Sequence, residues 1–141
     1  VPKIEFLLLE GRGVVDTLTF RRDKSYINRV ASIDEAYKKL YKGVVQEDIK
    51  LIAEACTKSA ISNQKLLYKP YLNKLLEIAQ KCNAVGINTA HSGTVSGMIL
   101  DKDTDREKLL YFLEKYLGSY FERKLFVYTT EGAAKIIDEK E

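Results

Sequence analysis

The sequence predicts an α+β fold, a ferredoxin-like antiparallel sheet with helices packed on one face and extra helices inserted. Three observations carry this reading. Short β-rich runs come in pairs, at Ile4–Leu9 with Val14–Phe20 and at Ala84–Thr89 with Val95–Leu100, and a last one stands at Leu125–Thr129. Helical spacing fills the long stretch between the two pairs. A further helical pattern separates the second pair from the last run, so the order is β-β, helices, β-β, α, β.

Taken in order, Glu10-Gly11-Arg12-Gly13 links the first two runs, and its glycines can supply positive φ, so a hairpin is expected. In the second run Val15, Thr17 and Thr19 alternate with Val14, Asp16, Leu18 and Phe20. Asp16 is the odd member of its face. Either it stands at an exposed edge, or it binds something. Ser32 with Glu35 reads as a capping box for a first helix with Ile33, Ala36, Tyr37, Leu40 and Tyr41 as its stripe and Gly43 as its stop. A second helix carries Ile49, Ile52, Ala53, Cys56 and Ala60. Pro70 suits the first turn of a third, striped by Leu72, Leu75, Leu76 and Ala79. Asp103 or Thr104 is expected to cap a fourth helix, with Leu109, Leu110, Leu113, Tyr116 and Leu117 inward and Gly118 as its end. Ala133–Ile137 adds a short terminal helix. Most of the nine tyrosines fall at core-stripe or core-edge positions.

The chain has 141 residues, read as one domain spanning 1–141. It is 45% hydrophobic and 30% charged, an ordinary globular composition. Net charge is +3, with 23 basic and 20 acidic residues scattered along the chain, so no nucleic-acid partner is implied. Phe126 and Tyr128, which share a strand face, are the one hint of a stacking platform. Two cysteines without a CxxC pair and a single histidine make no zinc set, and no metal site is expected. Cys56 and Cys82 read as free thiols, which fits a cytoplasmic protein. No apolar run reaches the length of a membrane span, so no membrane partner is expected.

The segment that carries chemistry is Gly86-Ile87-Asn88-Thr89-Ala90-His91-Ser92-Gly93-Thr94-Val95-Ser96-Gly97. Small residues let backbone N–H groups approach an anion, and the Ser92 and Thr94 hydroxyls add donors. By residue type alone, a phosphate- or carboxylate-binding loop and a plain tight turn remain open. His91 titrates near neutrality and is a candidate base, or else a loop histidine contacting backbone or substrate. Ser59, Asn63 and Gln64 lie about one helical turn apart and either line a substrate or face water.

The loop resembles the third conserved motif of the GHMP kinases. Its form, Asn88-x-Ala90-His91-Ser92-Gly93-Thr94-Val95, is most similar to the L-threonine kinase branch linked to cobalamin side-chain synthesis. Gly13-Val14-Val15-Asp16-Thr17 resembles a strand of that branch. Thr57-Lys58-Ser59-Ala60 through Gln64, followed by Leu67-Tyr68-Lys69-Pro70, resembles its helix and Lys-Pro step. The resemblance implies a C-terminal domain of the GHMP kinase type, which helps move the γ-phosphate of ATP, with Mg2+, to the hydroxyl of a small amino-acid alcohol such as L-threonine. It implies Ser92, Gly93 and Thr94 as phosphate contacts. Asn88, His91, Asp16 and Gln64 become candidate substrate contacts, and His91 and Asp16 candidate catalytic residues.

The Gly-Leu-Gly-Ser-Ser-type ATP loop of the family's N-terminal domain has no counterpart in the sequence. The chain is therefore expected to be a C-terminal fragment, a view that the initial Val1 favours. Alone it should be inactive, with no tightly bound cofactor, and its apolar interdomain face could pair with a second copy. The alternatives are a stand-alone ferredoxin-like module that binds a small ligand without catalysis, and an RNA-binding sheet.

Overall fold

The computed structural model describes residues 2–12, 25–65, 67–90 and 94–129, and for residues 25–33 the backbone alone. Strand β1 (Glu5–Gly11) is followed by helices α1 (Ser25–Val45), α2 (Ile49–Asn63) and α3 (Leu72–Lys81). Strands β2 (Gly86–Thr89) and β3 (Val95–Leu100) come next, then α4 (Arg106–Leu117) and β4 (Phe121–Tyr128). The four strands form one antiparallel sheet in the order β2-β3-β1-β4.

The expected hairpin is not the pairing β1 makes. One edge of β1 is taken by β3, from Glu5↔Leu100 to Glu10↔Val95, and the other by β4, from Glu5↔Tyr128 to Gly11↔Phe121. Both ladders run the length of the strand, leaving no edge for Val14–Phe20. That run and Ala133–Ile137 lie outside the described residues. Strand β4 also starts earlier than its β-rich run suggests, because Phe121 is fully buried and packs edge-on against Tyr71 at 4.9 Å between ring centres.

Alternation along the strands sorts the sheet residues onto two sides. Leu7, Leu9, Ile87, Met98, Leu100 and Phe121 face α3 and α4, where Leu72, Leu75, Ile78, Leu109, Leu113 and Leu117 complete the main core. The inserted helices α1 and α2 pack on each other and carry a second cluster of Ile52 and Ala53 with Ile4 and Ile99, flanked by Leu40, Val44, Cys56 and Val85. Helix α2 also covers the free edge of β2. The Ile87 N–H donates to the Thr57 hydroxyl at 3.0 Å, which satisfies an amide that the sheet leaves unpaired. Gly86 permits that approach, since a Cβ there would stand 2.7 Å from both the Ala53 carbonyl oxygen and Thr57 Oγ1.

Helix ends depart from expectation for local reasons. Ser32 is interior to α1, because Tyr26, Ile27 and Val30 extend the three–four spacing back to Ser25. Glu35, freed from capping, reaches Lys58 on α2 at 2.7 Å. Gly43 does not stop α1, which runs to Val45. A side chain at Gly43 would stand 2.9 Å from the Ile52 backbone nitrogen, so this glycine serves close helix packing. Asp48 caps α2 through Lys50 and Leu51 N–H. Helix α3 starts at Leu72, and Pro70 stands in the turn before it. The cap of α4 is Asp105, which accepts from Lys108 N–H at 3.1 Å. Thr104 is not free to cap. Its hydroxyl donates to the Asn83 carbonyl at 2.9 Å and accepts from Asp101 N–H.

The tyrosine expectation fails for most rings. Tyr37, Tyr41, Tyr68, Tyr111 and Tyr116 are exposed, and only Tyr71 of those read as core is buried. Leu110 is likewise exposed. Helical spacing locates a face but not its margins, and a phenol at the margin keeps its hydroxyl in water.

Candidate functional site

Strands β2 and β3 end together at the loop singled out by the sequence. The Ala90 N–H donates to the Val95 carbonyl at 2.9 Å and closes its base. The Thr94 carbonyl accepts from Gly11 N–H at 2.9 Å, tying the loop exit to the end of β1. His91, Ser92 and Gly93, and with them Asp16, lie outside the described residues.

The entry to the loop is held from the α2–α3 connection. Lys69, 6% exposed, donates from Nζ to the Ala90 carbonyl at 3.0 Å. Its own backbone is gripped on both sides by one side chain. Gln64 Nε2 donates to the Lys69 carbonyl at 2.9 Å, and Gln64 Oε1 accepts from Lys69 N–H at 2.7 Å. The amide of Gln64 is thus engaged with the backbone, and it reaches the loop through Lys69. Burial pulls the Lys69 ammonium below the usual lysine pKa. Two residues on, the Tyr71 hydroxyl bonds Ser96 Oγ at 3.1 Å beneath the loop. Burial pushes the Tyr71 pKa up, partly offset by that bond. Across the ladder from Ser96, the buried Thr89 hydroxyl has no hydrogen-bond partner among the described residues.

Two clefts flank the loop. The first, about 210 Å³, is lined by Gly11, Arg12, Lys69, Pro70, Tyr71 and Thr94, together with Leu67, Tyr68 and Tyr120. The second, about 330 Å³, is lined by Asn88 with Tyr37, Cys56, Ser59 and apolar residues of α1 and α2. Asn88 follows Ile87 and precedes Thr89, both buried on the α3–α4 side, so strand alternation turns it to the opposite face. Of the candidate residues, Thr94 and Gln64 therefore come together around Lys69, while Asn88 belongs to the second cleft with Ser59.

Lys69, Arg12 and Tyr71 are site residues that composition and spacing did not reveal. Lys69 stood in the Lys-Pro step, where a residue before proline is held extended and off any helical stripe. Among the described residues no three of His, Cys, Asp or Glu gather to hold a metal ion, and no helix is long and apolar enough to cross a membrane.

No family model matches the chain. Over 137 residues, 93% of its length, the chain is 30% identical to L-threonine kinase of Citrobacter freundii. It is 33% identical over 104 residues, 72% of its length, to L-threonine kinase of Salmonella typhimurium. It spans 48% and 35% of the lengths of these two relatives, so its counterpart in each is a part of a larger kinase. In fold it is similar to homoserine kinase of Cytophaga hutchinsonii, with a TM-score of 0.61 at 13% identity, covering 90% of this chain and 41% of that one. Matched in sequence to L-threonine kinases and in fold to homoserine kinase, the chain belongs to the GHMP kinases, as a C-terminal domain of that superfamily.

Proposed function

We propose that this chain is the C-terminal part of an ATP-dependent kinase that phosphorylates the hydroxyl of a small amino-acid alcohol such as L-threonine. The observation that carries the reading is the loop after β2, braced by Lys69 and Gln64 at its entry and by Gly11 at its exit, beside a cleft with basic lining. In the reaction the bond between the γ-phosphorus and its bridging oxygen breaks, ADP leaves with the electron pair, and the substrate oxygen bonds phosphorus as its proton departs.

Such catalysis is mostly positioning and charge neutralisation. In this reading Ser92, Gly93 and Thr94 approach the phosphates, and Asn88, with His91 and Asp16, meets the amino-acid substrate. Gln64 acts through Lys69 as a positioning residue. The lining of the first cleft suits phosphate oxygens, whereas Mg2+ needs oxygen ligands that the described residues do not cluster. The work is shared with the part of the kinase that lies outside the matched region, and it takes place in the cytosol.

The test is ADP release by the full-length kinase with L-threonine, L-serine and L-homoserine. Turnover with one of these alcohols, lost in Gly93→Val while the circular dichroism spectrum is kept, is the expected result. Undiminished turnover in Gly93→Val would remove the loop from the mechanism. No turnover with any alcohol, together with ligand binding by the chain itself, would favour a non-catalytic binding module.

A further inference from the structure

We propose that the cleft between Lys69, Arg12 and Thr94 is a seat for an oxyanion, a phosphate or a carboxylate, with the Lys69 ammonium and the Arg12 guanidinium as its ligands. The argument starts from an imbalance. Lys69 is 94% removed from solvent, yet among the described residues it makes one hydrogen bond, to the Ala90 carbonyl, and no ion pair. An ammonium carries three donors. Burying a cation without an opposite charge is costly, and proteins rarely retain such an arrangement without a compensating partner.

The surroundings supply the rest of a binding site but not the negative charge. Lys69 lines the cleft, and Arg12 lines it from the end of β1. Arg12 is exposed and its backbone is fixed, its N–H donating to the Tyr120 carbonyl at 3.0 Å. Neither Arg12 nor Lys69 is paired with a carboxylate among the described residues, although most other ion pairs of the fold join neighbouring elements. Among the described residues no acidic side chain lines the cleft. A fork-shaped guanidinium and a compact ammonium across one small opening match the several acceptor oxygens of a phosphate or carboxylate. Lys69 has a second task, since the same amine holds the loop entry, so an anion drawn to it would meet the loop as well.

The inference deepens the kinase reading by naming a ligand seat at the same loop, and its test reads binding instead of turnover. The 141-residue chain is titrated with inorganic pyrophosphate, and separately with L-threonine and with acetate, at low salt, following backbone amide shifts by NMR. Saturable shifts centred on Gly11, Lys69 and Thr94 are expected. Lys69→Met and Arg12→Ala should each weaken binding about tenfold or more, the loss expected for one charge-assisted hydrogen bond.

A response to pyrophosphate alone identifies a seat for nucleotide phosphate. A response to L-threonine and acetate identifies a seat for the substrate carboxylate. Shifts that map elsewhere, absence of binding by all three, or unchanged affinity in Arg12→Ala would overturn the proposal. Arg12 is exposed, so that variant keeps the fold even if Lys69→Met does not. Intact, Arg12-dependent binding in a full-length protein that transfers no phosphate would sink the kinase reading and leave the anion seat standing.

Discussion

The two clefts beside the loop are built in opposite ways. The Lys69 cleft is made from connections: the end of β1, the segment before α3 and the exit of the loop. Its parts are joined by hydrogen bonds, through Gln64, Lys69, Ala90 and Gly11, and the lysine at the centre of that network is buried. The Asn88 cleft is made from regular elements, two helices and a strand, and its polar groups are half-buried or exposed. The first is therefore sensitive to single polar deletions. The second rests on helix packing and tolerates change at its polar rim. Buried hydrogen-bonded networks carry high penalties when one member is removed, whereas exposed polar groups do not.

The largest expected effect tests the packed side. Gly86→Ala drives a Cβ against the Ala53 carbonyl and the Thr57 hydroxyl, both fixed, and should cost about 3 kcal/mol in urea unfolding. A loss below about 1 kcal/mol would mean that α2 slides on β2 and that the packing of this side is loose. Gly11→Ala is the matching change at the Lys69 cleft. There the contact is with the Thr94 carbonyl at 2.7 Å and Thr94 Cβ at 3.2 Å, one residue at a strand's start against the helix that Gly86 meets, so about 1–2 kcal/mol is expected.

Tyr71→Phe removes the bond to Ser96 and should cost about 1 kcal/mol in thermal unfolding. A neutral result would indicate that the Ser96 hydroxyl finds another partner, such as the Thr89 hydroxyl across the ladder.

Lys69 gives a pH signature with a definite sign. Its folded pKa is lowered by burial from the ordinary 10.5, so on approaching that value from below the unfolded chain holds more protons than the folded one. Stability contributed by Lys69 must then rise with pH across that window and level off above 10.5. Tyr71 acts in the opposite sense, because burial raises its pKa above 10.0 and stability falls as pH passes that value. Comparing wild type with Lys69→Met cancels the tyrosine. The wild type should gain on the variant as pH rises, and a constant difference would place the amine in water.

The smallest effect is on the other side. Asn88→Ala should change stability by less than about 0.5 kcal/mol, since the side chain is exposed. In the full-length kinase it should raise KM for the alcohol and leave KM for ATP alone. The reverse pattern would exchange the roles proposed for the two clefts.

Much of the fold was legible because its signals are local. The stripe Leu72, Leu75 and Ala79 is a property of the segment itself, and so is the short β-rich run that marks β3. The loop from Ala90 to Thr94 was found by its small residues and by resemblance, and the comparisons with known proteins support the family it pointed to. The tyrosines were misplaced because a ring at the edge of a stripe can turn either way, and only neighbouring elements decide which.

What the sequence by itself determined is the order of the helices and strands that the structure describes, the position of the small-residue loop, and the likeness to the GHMP kinases. These rest on periodicity and residue type, which need no partner. Only the tertiary structure decided which strands flank β1, that Gln64 grips the Lys69 backbone, and that Lys69 spans 21 residues of sequence to hold Ala90. A hydrogen bond between distant segments is set by how the helices stack on the sheet. No local pattern records it, because the energy that fixes it is the burial of residues elsewhere in the chain.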